Sequence, residues 1–149
     1  MRIAIGSDHG GFNLKNDIIK HLEAKGIEVK DFGTDSTESC DYPEFAEKVA
    51  KEVVAKNFEL GILICGTGIG IGIAANKVPG VRAALCSDTF SAHACREHNN
   101  ANILTMGERV VGKGLALDIV DTFISTNFEG GRHERRVNQI SELENKYCK

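Results

Sequence analysis

The sequence predicts an α/β fold in which a five-stranded parallel sheet is covered by helices on both faces. Two observations predict it. Short apolar runs rich in β-branched residues recur along the chain, and a helical pattern separates each run from the next in strict alternation. The layering is that of a Rossmann-like, three-layer α/β/α sandwich.

The strand candidates are residues 2–6, 27–32, 60–65, 81–86 and 102–106, each short enough to be a buried strand. After the first, Leu14, Ile18 and Leu22 make an i, i+4 stripe that stops at Gly26, a natural C-terminal cap. The second helix places Pro43 in its first turn, where proline is tolerated, and carries Ala46, Val49, Ala50, Val53 and Val54 at helical spacing. A third helix begins in the glycine run after Cys65, and a fourth spans about residues 89–98. The fifth carries Ala116, Ile119, Val120 and Phe123, and a sixth pattern (Val137, Ile140, Leu143, Tyr147) closes the chain.

The 149 residues suit one domain, 1–149, and no repeat, linker or low-complexity stretch interrupts them. A chain of this size buries about 70% of the surface its unfolded form exposes, enough for a core without staples. With 18 basic and 21 acidic side chains the net charge is −3, which argues against nucleic acid or anionic lipid as a partner. The start, MRIAIGSDHGG, is too soon interrupted for a signal peptide, and no apolar run approaches a membrane span, so a cytoplasmic protein is expected. Five cysteines (Cys40, Cys65, Cys86, Cys95, Cys148) without a CxxC pair predict free thiols rather than disulfides or a zinc site.

In such a sheet, function gathers in the loops after the carboxyl ends of strands. Three of these stand out: Ser7-Asp8-His9-Gly10-Gly11, Cys65-Gly66-Thr67-Gly68-Ile69-Gly70 and Gly107-Glu108-Arg109. In the second, glycines at 66, 68, 70 and 72 let backbone N–H groups crowd an anionic oxygen at a helix start. It reads as an anion cradle or a plain tight turn. It also reads as an offset dinucleotide fingerprint, since residues 70–75 fit GxGxxA and Asp88 follows 18 residues on. A thiol facing this loop sits where amides stabilise thiolate, so Cys65 could serve as nucleophile or general base. Thr67 could hydrogen-bond the thiol or a substrate oxygen.

His98 raises a conflict. Helices here run antiparallel to the strands, so His98 and Asn99, at the end of the fourth helix, belong at the edge opposite Cys65. Either His98 is a helix-terminal cation, or a second subunit supplies it to the site. His21 and His93 read as structural or solvated. The segment GGRHERR places three arginines and a histidine at a helix start that repels them, a broken local rule of the kind that marks functional sites. Arg132 and Arg136, at i and i+4, share a face and form either an anion clamp suited to phosphate or a solvated turn. Arg109 is a further anion-binding candidate.

The motifs SDHGG, CDYP, ICGTGIGIGIAANK, REHNNANIL, GERVVG and EGGRHERRV, in this order, resemble the type B ribose-5-phosphate isomerases over essentially the whole chain. The resemblance implies interconversion of ribose 5-phosphate and ribulose 5-phosphate without metal or cofactor, on a small sugar-phosphate substrate. It also implies a homodimer or dimer of dimers with shared active sites. By resemblance, Cys65 is the base that moves a proton between C1 and C2. Some family members use a glutamate later in the glycine loop, and here that stretch reads Gly70-Ile71-Gly72. His98 opens the furanose ring with Asn99 beside it, while Asp8 and His9 contact sugar or phosphate. Gly66, Thr67, Gly68, Ile69 and Gly70 hold the enediolate, and Arg109, Arg132 and Arg136 bind the anion. Two alternatives stay open: an isomerase of a hexose 6-phosphate of allose or galactose type, and a nucleotide-binding regulatory module.

Overall fold

Five strands and six helices make up the computed structural model, which describes residues 1–148. In chain order they are β1 (Arg2–Ser7), α1 (Phe12–Ala24), β2 (Glu28–Asp31), α2 (Tyr42–Val54), β3 (Leu60–Cys65), α3 (Ile69–Ala75), β4 (Ala83–Leu85), α4 (Thr89–Glu97), β5 (Ile103–Gly107), α5 (Lys113–Ser125) and α6 (Arg132–Tyr147). A single 3₁₀ turn, His9–Gly11, joins β1 to α1. All pairings are parallel, in the order β2-β1-β3-β5-β4, so the predicted sheet and its strand count are observed.

Alternation along the central strands feeds two cores. Ile3, Ile5, Ile62, Ile64, Leu104 and Met106 pack against α1, α4 and α5, while Ala4, Leu63, Cys65 and Ile103 face α2 and α3. A fully buried Ile or Leu of this kind stabilises the fold by roughly 1.5–3 kcal/mol. Chain order and sheet order diverge after β1 and β3: α1 lies on one face and α3 on the other. The crevice between the ends of β1 and β3 is therefore a switch point, the place where such sheets bind ligands.

Three expectations need correction. Residues 27–32 and 81–86 were expected as buried strands, yet β2 and β4 are shorter edge strands, and Glu28, Lys30 and Asp31 leave β2 largely exposed. An edge paired on one side tolerates charge, and charge protects it from further pairing. The third concerns α6. Only His133 and Val137 are buried on it, and Ile140, Leu143 and Tyr147 of the predicted apolar stripe are exposed. It covers neither face of the sheet as the other helices do, but runs past the lower edge, where the Glu144 carboxylate accepts from Gly80 N–H at 3.1 Å.

One predicted helix stop and one predicted helix start hold. Gly26 closes α1 with φ +77°, and Pro43 lies in the first turn of α2.

Candidate active site

Cys65 ends β3 buried, with its side chain on the α3 face. The next residues turn sharply, and the Gly68 N–H donates to Cys65 Sγ at 3.1 Å. Gly68 has φ +79°, and a Cβ there would lie 2.6 Å from the Met106 carbonyl carbon, so only glycine fits without displacement. Its carbonyl accepts from Thr105 Oγ1 at 2.9 Å. The amide aimed at the sulfur is thus fixed from both sides. Thr67 Oγ1 accepts from Ile69 N–H at 3.1 Å, which leaves its own proton available to an incoming oxygen.

The other two predicted loops close on the same spot. The β5 loop continues the ladder past the strand, Glu108 N–H donating to Cys65 O at 3.0 Å and Arg109 N–H to Gly66 O at 3.1 Å. The Arg109 guanidinium then lies over the glycine loop, 3.2 Å from where a Cβ on Gly66 would sit. In the β1 loop, Asp8 is buried and accepts from Gly10 N–H at 2.9 Å, capping the 3₁₀ turn. His9 Nδ1 accepts from Cys40 N–H at 3.2 Å, so the neutral ring carries its proton on Nε2.

Three residues of this edge were given no role in the sequence reading. Tyr42 begins α2 and lies against the glycine loop, its ring 2.7 Å from a Cβ built on Gly70. Cys40 anchors His9, and Glu108 Oε1 accepts from Leu14 N–H at 2.6 Å, placing a carboxylate at the start of α1. Cys40 and Tyr42 belong to the segment after β2, and the rule that singled out the other loops applied to it equally.

His98 is where the antiparallel rule put it. It caps the carboxyl end of α4, ahead of β5, whereas Cys65 pairs with Gly107 at the far end of β5. Four strand rises from Ile103 to Gly107, at about 3.3 Å each, separate the two edges by roughly 13 Å. Arg132 and Arg136 lie with His98: they open α6, where the His133 ring stacks on the His98 ring with centroids 4.3 Å apart and planes at 16°. Both arginines and Asn99 are exposed. The predicted residues therefore fall into two groups. Asp8, His9, Cys65, the 66–70 loop and Arg109 share the upper edge, and His98, Asn99, Arg132 and Arg136 share the lower.

Asp88 is occupied elsewhere, its carboxylate accepting from Ser91 N–H at 2.6 Å and Ser91 Oγ at 3.0 Å as the cap of α4. That removes the acidic residue from the dinucleotide reading. Cys86 and Cys95 are also explained locally. They lie 3.9 Å apart in the core, where the contact with Cys95 and then burial push the Cys86 thiol up and keep it protonated. No helix among the described residues is long and apolar enough to cross a membrane.

Comparison with known proteins points to sugar-phosphate isomerases. The Ribose/Galactose Isomerase family matches residues 3–140. Ribose-5-phosphate isomerase B of Escherichia coli (strain K12) is 51% identical over 143 residues, 96% of this chain and 96% of that protein. The solved ribose-5-phosphate isomerase B of Clostridium thermocellum superposes with a TM-score of 0.98 at 59% identity, covering 99% of this chain and 100% of that one. The enzyme of the same name from Mycoplasma genitalium, solved with bound ribulose 5-phosphate, superposes at 0.93 with 46% identity, 97% of each chain covered.

Proposed function

The chain belongs to the ribose/galactose isomerase family, and from that premise we propose that it interconverts D-ribose 5-phosphate and D-ribulose 5-phosphate. It is an aldose-ketose isomerase, formed by one domain over residues 1–149 and working in the cytoplasm. The observation that carries the mechanism is the Cys65 sulfur, held at the sheet's switch point against the Gly68 amide.

With the sugar in its open form, the Cys65 thiolate takes the proton from C2, and the electron pair moves onto the C1 carbonyl to give a cis-enediolate. Negative charge develops on oxygen, where backbone amides of the 66–70 loop serve as donors, those of Gly68 and Ile69 once they leave the Cys65 sulfur and Thr67 Oγ1 that hold them in the free protein; one such donor is worth about 10²–10³ in rate. The thiol returns its proton to C1 while the C2 hydroxyl yields its proton to the C1 oxygen and becomes the ketone. The Thr67 hydroxyl donates to a sugar oxygen during the exchange, and Asp8 and His9 Nε2 border the sugar. Neither metal nor cofactor is needed for these steps.

Ring opening is assigned to His98 with Asn99, and the phosphate to Arg109, Arg132 and Arg136. One chain holds these residues at two edges about 13 Å apart, so the working unit is a homodimer, or a dimer of dimers, with shared sites. One protomer contributes Cys65 and Arg109, and its partner contributes His98, Asn99, Arg132 and Arg136. Exposed apolar side chains near both edges support the association: Ile69, Leu85 and Val110 above, Ile140, Leu143 and Tyr147 on α6. A fixed phosphate holds the flexible open-chain sugar against the thiol, which is how binding remote from the reacting carbons lowers the barrier.

A substrate panel tests the reading. Turnover of ribose 5-phosphate well above that of allose 6-phosphate and galactose 6-phosphate is expected; the reverse order makes the chain a hexose-phosphate enzyme. Tight binding of NADH or ATP without any isomerisation overturns both.

A further inference from the structure

Beside the arginines at the lower edge, three metal-ligating side chains converge. We propose that His98, Glu129 and His133 bind a divalent transition metal ion such as Zn²⁺, and that the bound ion inhibits the enzyme by withdrawing His98 from ring opening. One ligand atom from each residue lies within 4.8 Å of the others. The three come from different places in the chain: the end of α4, the loop before α6 and the first turn of α6.

His133 is the fixed member. Its side chain is 8% exposed, and its Nε2 is buried with no hydrogen-bond partner among the described residues, facing the Glu129 carboxylate at 3.6 Å. A buried nitrogen without a partner destabilises the fold, and an ion held between it and the carboxylate removes that cost. Two imidazoles and a carboxylate are a donor set that suits zinc, with water in the fourth position.

A tetrahedral ion with ligands at about 2.0–2.2 Å brings its donors to roughly 3.4 Å from one another, so the widest pair tightens by up to about 1.4 Å. The two outer members can move. The His98 and Glu129 side chains are 44% and 56% exposed, and among the described residues the His98 ring is held by its stack on His133 and a 3.4 Å contact with Glu97. Rotation of His98 about its side-chain bonds carries a ring nitrogen toward the shared point. The Glu129 backbone stays in place, its N–H donating to Glu97 O at 3.0 Å. Binding stands on this geometry alone; inhibition rests also on the ring-opening role given to His98 above.

The intact protein is titrated with Zn²⁺ calorimetrically in a buffer that does not chelate metal, and with Co²⁺ as an optical reporter. One ion per chain is expected, with tetrahedral Co²⁺ absorption, no thiolate-to-metal charge-transfer band, and loss of activity that EDTA reverses. Glu129→Gln should keep its basal activity and bind the ion at least about tenfold more weakly. His133→Asn should lose binding, and Cys65→Ala should retain it. No uptake at large molar excess, unchanged affinity in Glu129→Gln, or a thiolate band lost in Cys65→Ala overturns the site. Uptake as described with undiminished turnover overturns the inhibition and counts against the role of His98, while isomerase activity toward pentose phosphates is read independently in metal-free protein.

Discussion

At the Cys65 edge the candidate site is made of main chain, and at the His98 edge it is made of side chains. Above, the loops after β3 and β5 interlock through two backbone hydrogen bonds, Glu108 N–H to Cys65 O and Arg109 N–H to Gly66 O, and the Gly68 N–H holds the sulfur. Below, His98, Asn99, Arg132 and Arg136 project from two helix ends, and one ring stack joins them. A rigid backbone cradle suits charge that develops during reaction, because donors already in place need no reorganisation. Mobile cations suit the capture of a phosphate and can be completed by another surface. The upper edge is finished within one chain, and the lower edge gains its role when a partner's upper edge meets it.

The most severe break in this picture is removal of the base. Cys65→Ala should lower kcat for ribose 5-phosphate by about 10³-fold, within the range ascribed to a positioned acid or base, with circular dichroism and Tm close to wild type. Activity within a few-fold of wild type would assign the proton transfer to another group. Next in size is Gly68→Ala. The new methyl meets the Met106 backbone at 2.6 Å in a left-handed conformation, so the amide must turn away from the sulfur. A loss of about 10²-fold in kcat with a smaller change in KM is expected, since the donor acts on the transition state. A KM effect alone would mean that the loop only binds.

The division of labour between edges has its own test. Cys65→Ala and His98→Ala chains, each inactive, are mixed under conditions that exchange subunits. Random pairing makes half the dimers mixed, and each mixed dimer holds one intact composite site, so about a quarter of wild-type activity should return. No recovery despite exchange confirmed by mass would place both residues in one chain's site and contradict the 13 Å separation derived from the strand rise.

How much of this was legible beforehand follows from the same contrast. The five strands, the helices and the loops at 7–11, 65–70 and 107–109 were readable because period and glycine placement are local properties of the chain. The position of His98 opposite Cys65 was readable as well, since chain direction in a β-α unit fixes which edge a helix ends on. The exposure of β2 and β4 was not, because apolar content does not say which strands end at the edges of a sheet. Tyr42 over Gly70, Glu108 on Leu14 N–H, and the stacking of His133 on His98 were not legible either. Each joins segments remote in sequence, and no spacing rule connects them.

The smallest effect serves as a control on the lower edge. There Asp121 of α5 accepts from His21 Nε2 and from Lys25 Nζ, both at 2.8 Å and both near the end of α1. Burial, the largest single influence, pushes its carboxyl up, but the hydrogen bonds and charges of Lys25 and His21 together outweigh it and hold the carboxyl below its ordinary value. The folded protein therefore takes up this proton at lower pH than the unfolded chain does, whose carboxyl titrates near about 3.9. The stabilisation is complete above that value and disappears as pH falls through the folded pKa. Asp121→Asn should lower Tm at neutral pH by about 1–2 °C, as expected for a partly exposed ion pair. The gap between variant and wild type should close on acidification below about pH 4, and kcat should not change. If this substitution impaired turnover as much as loss of His98, the lower edge would be acting through general stability, and the specific partner role assigned to His98 and the arginines would fall with it.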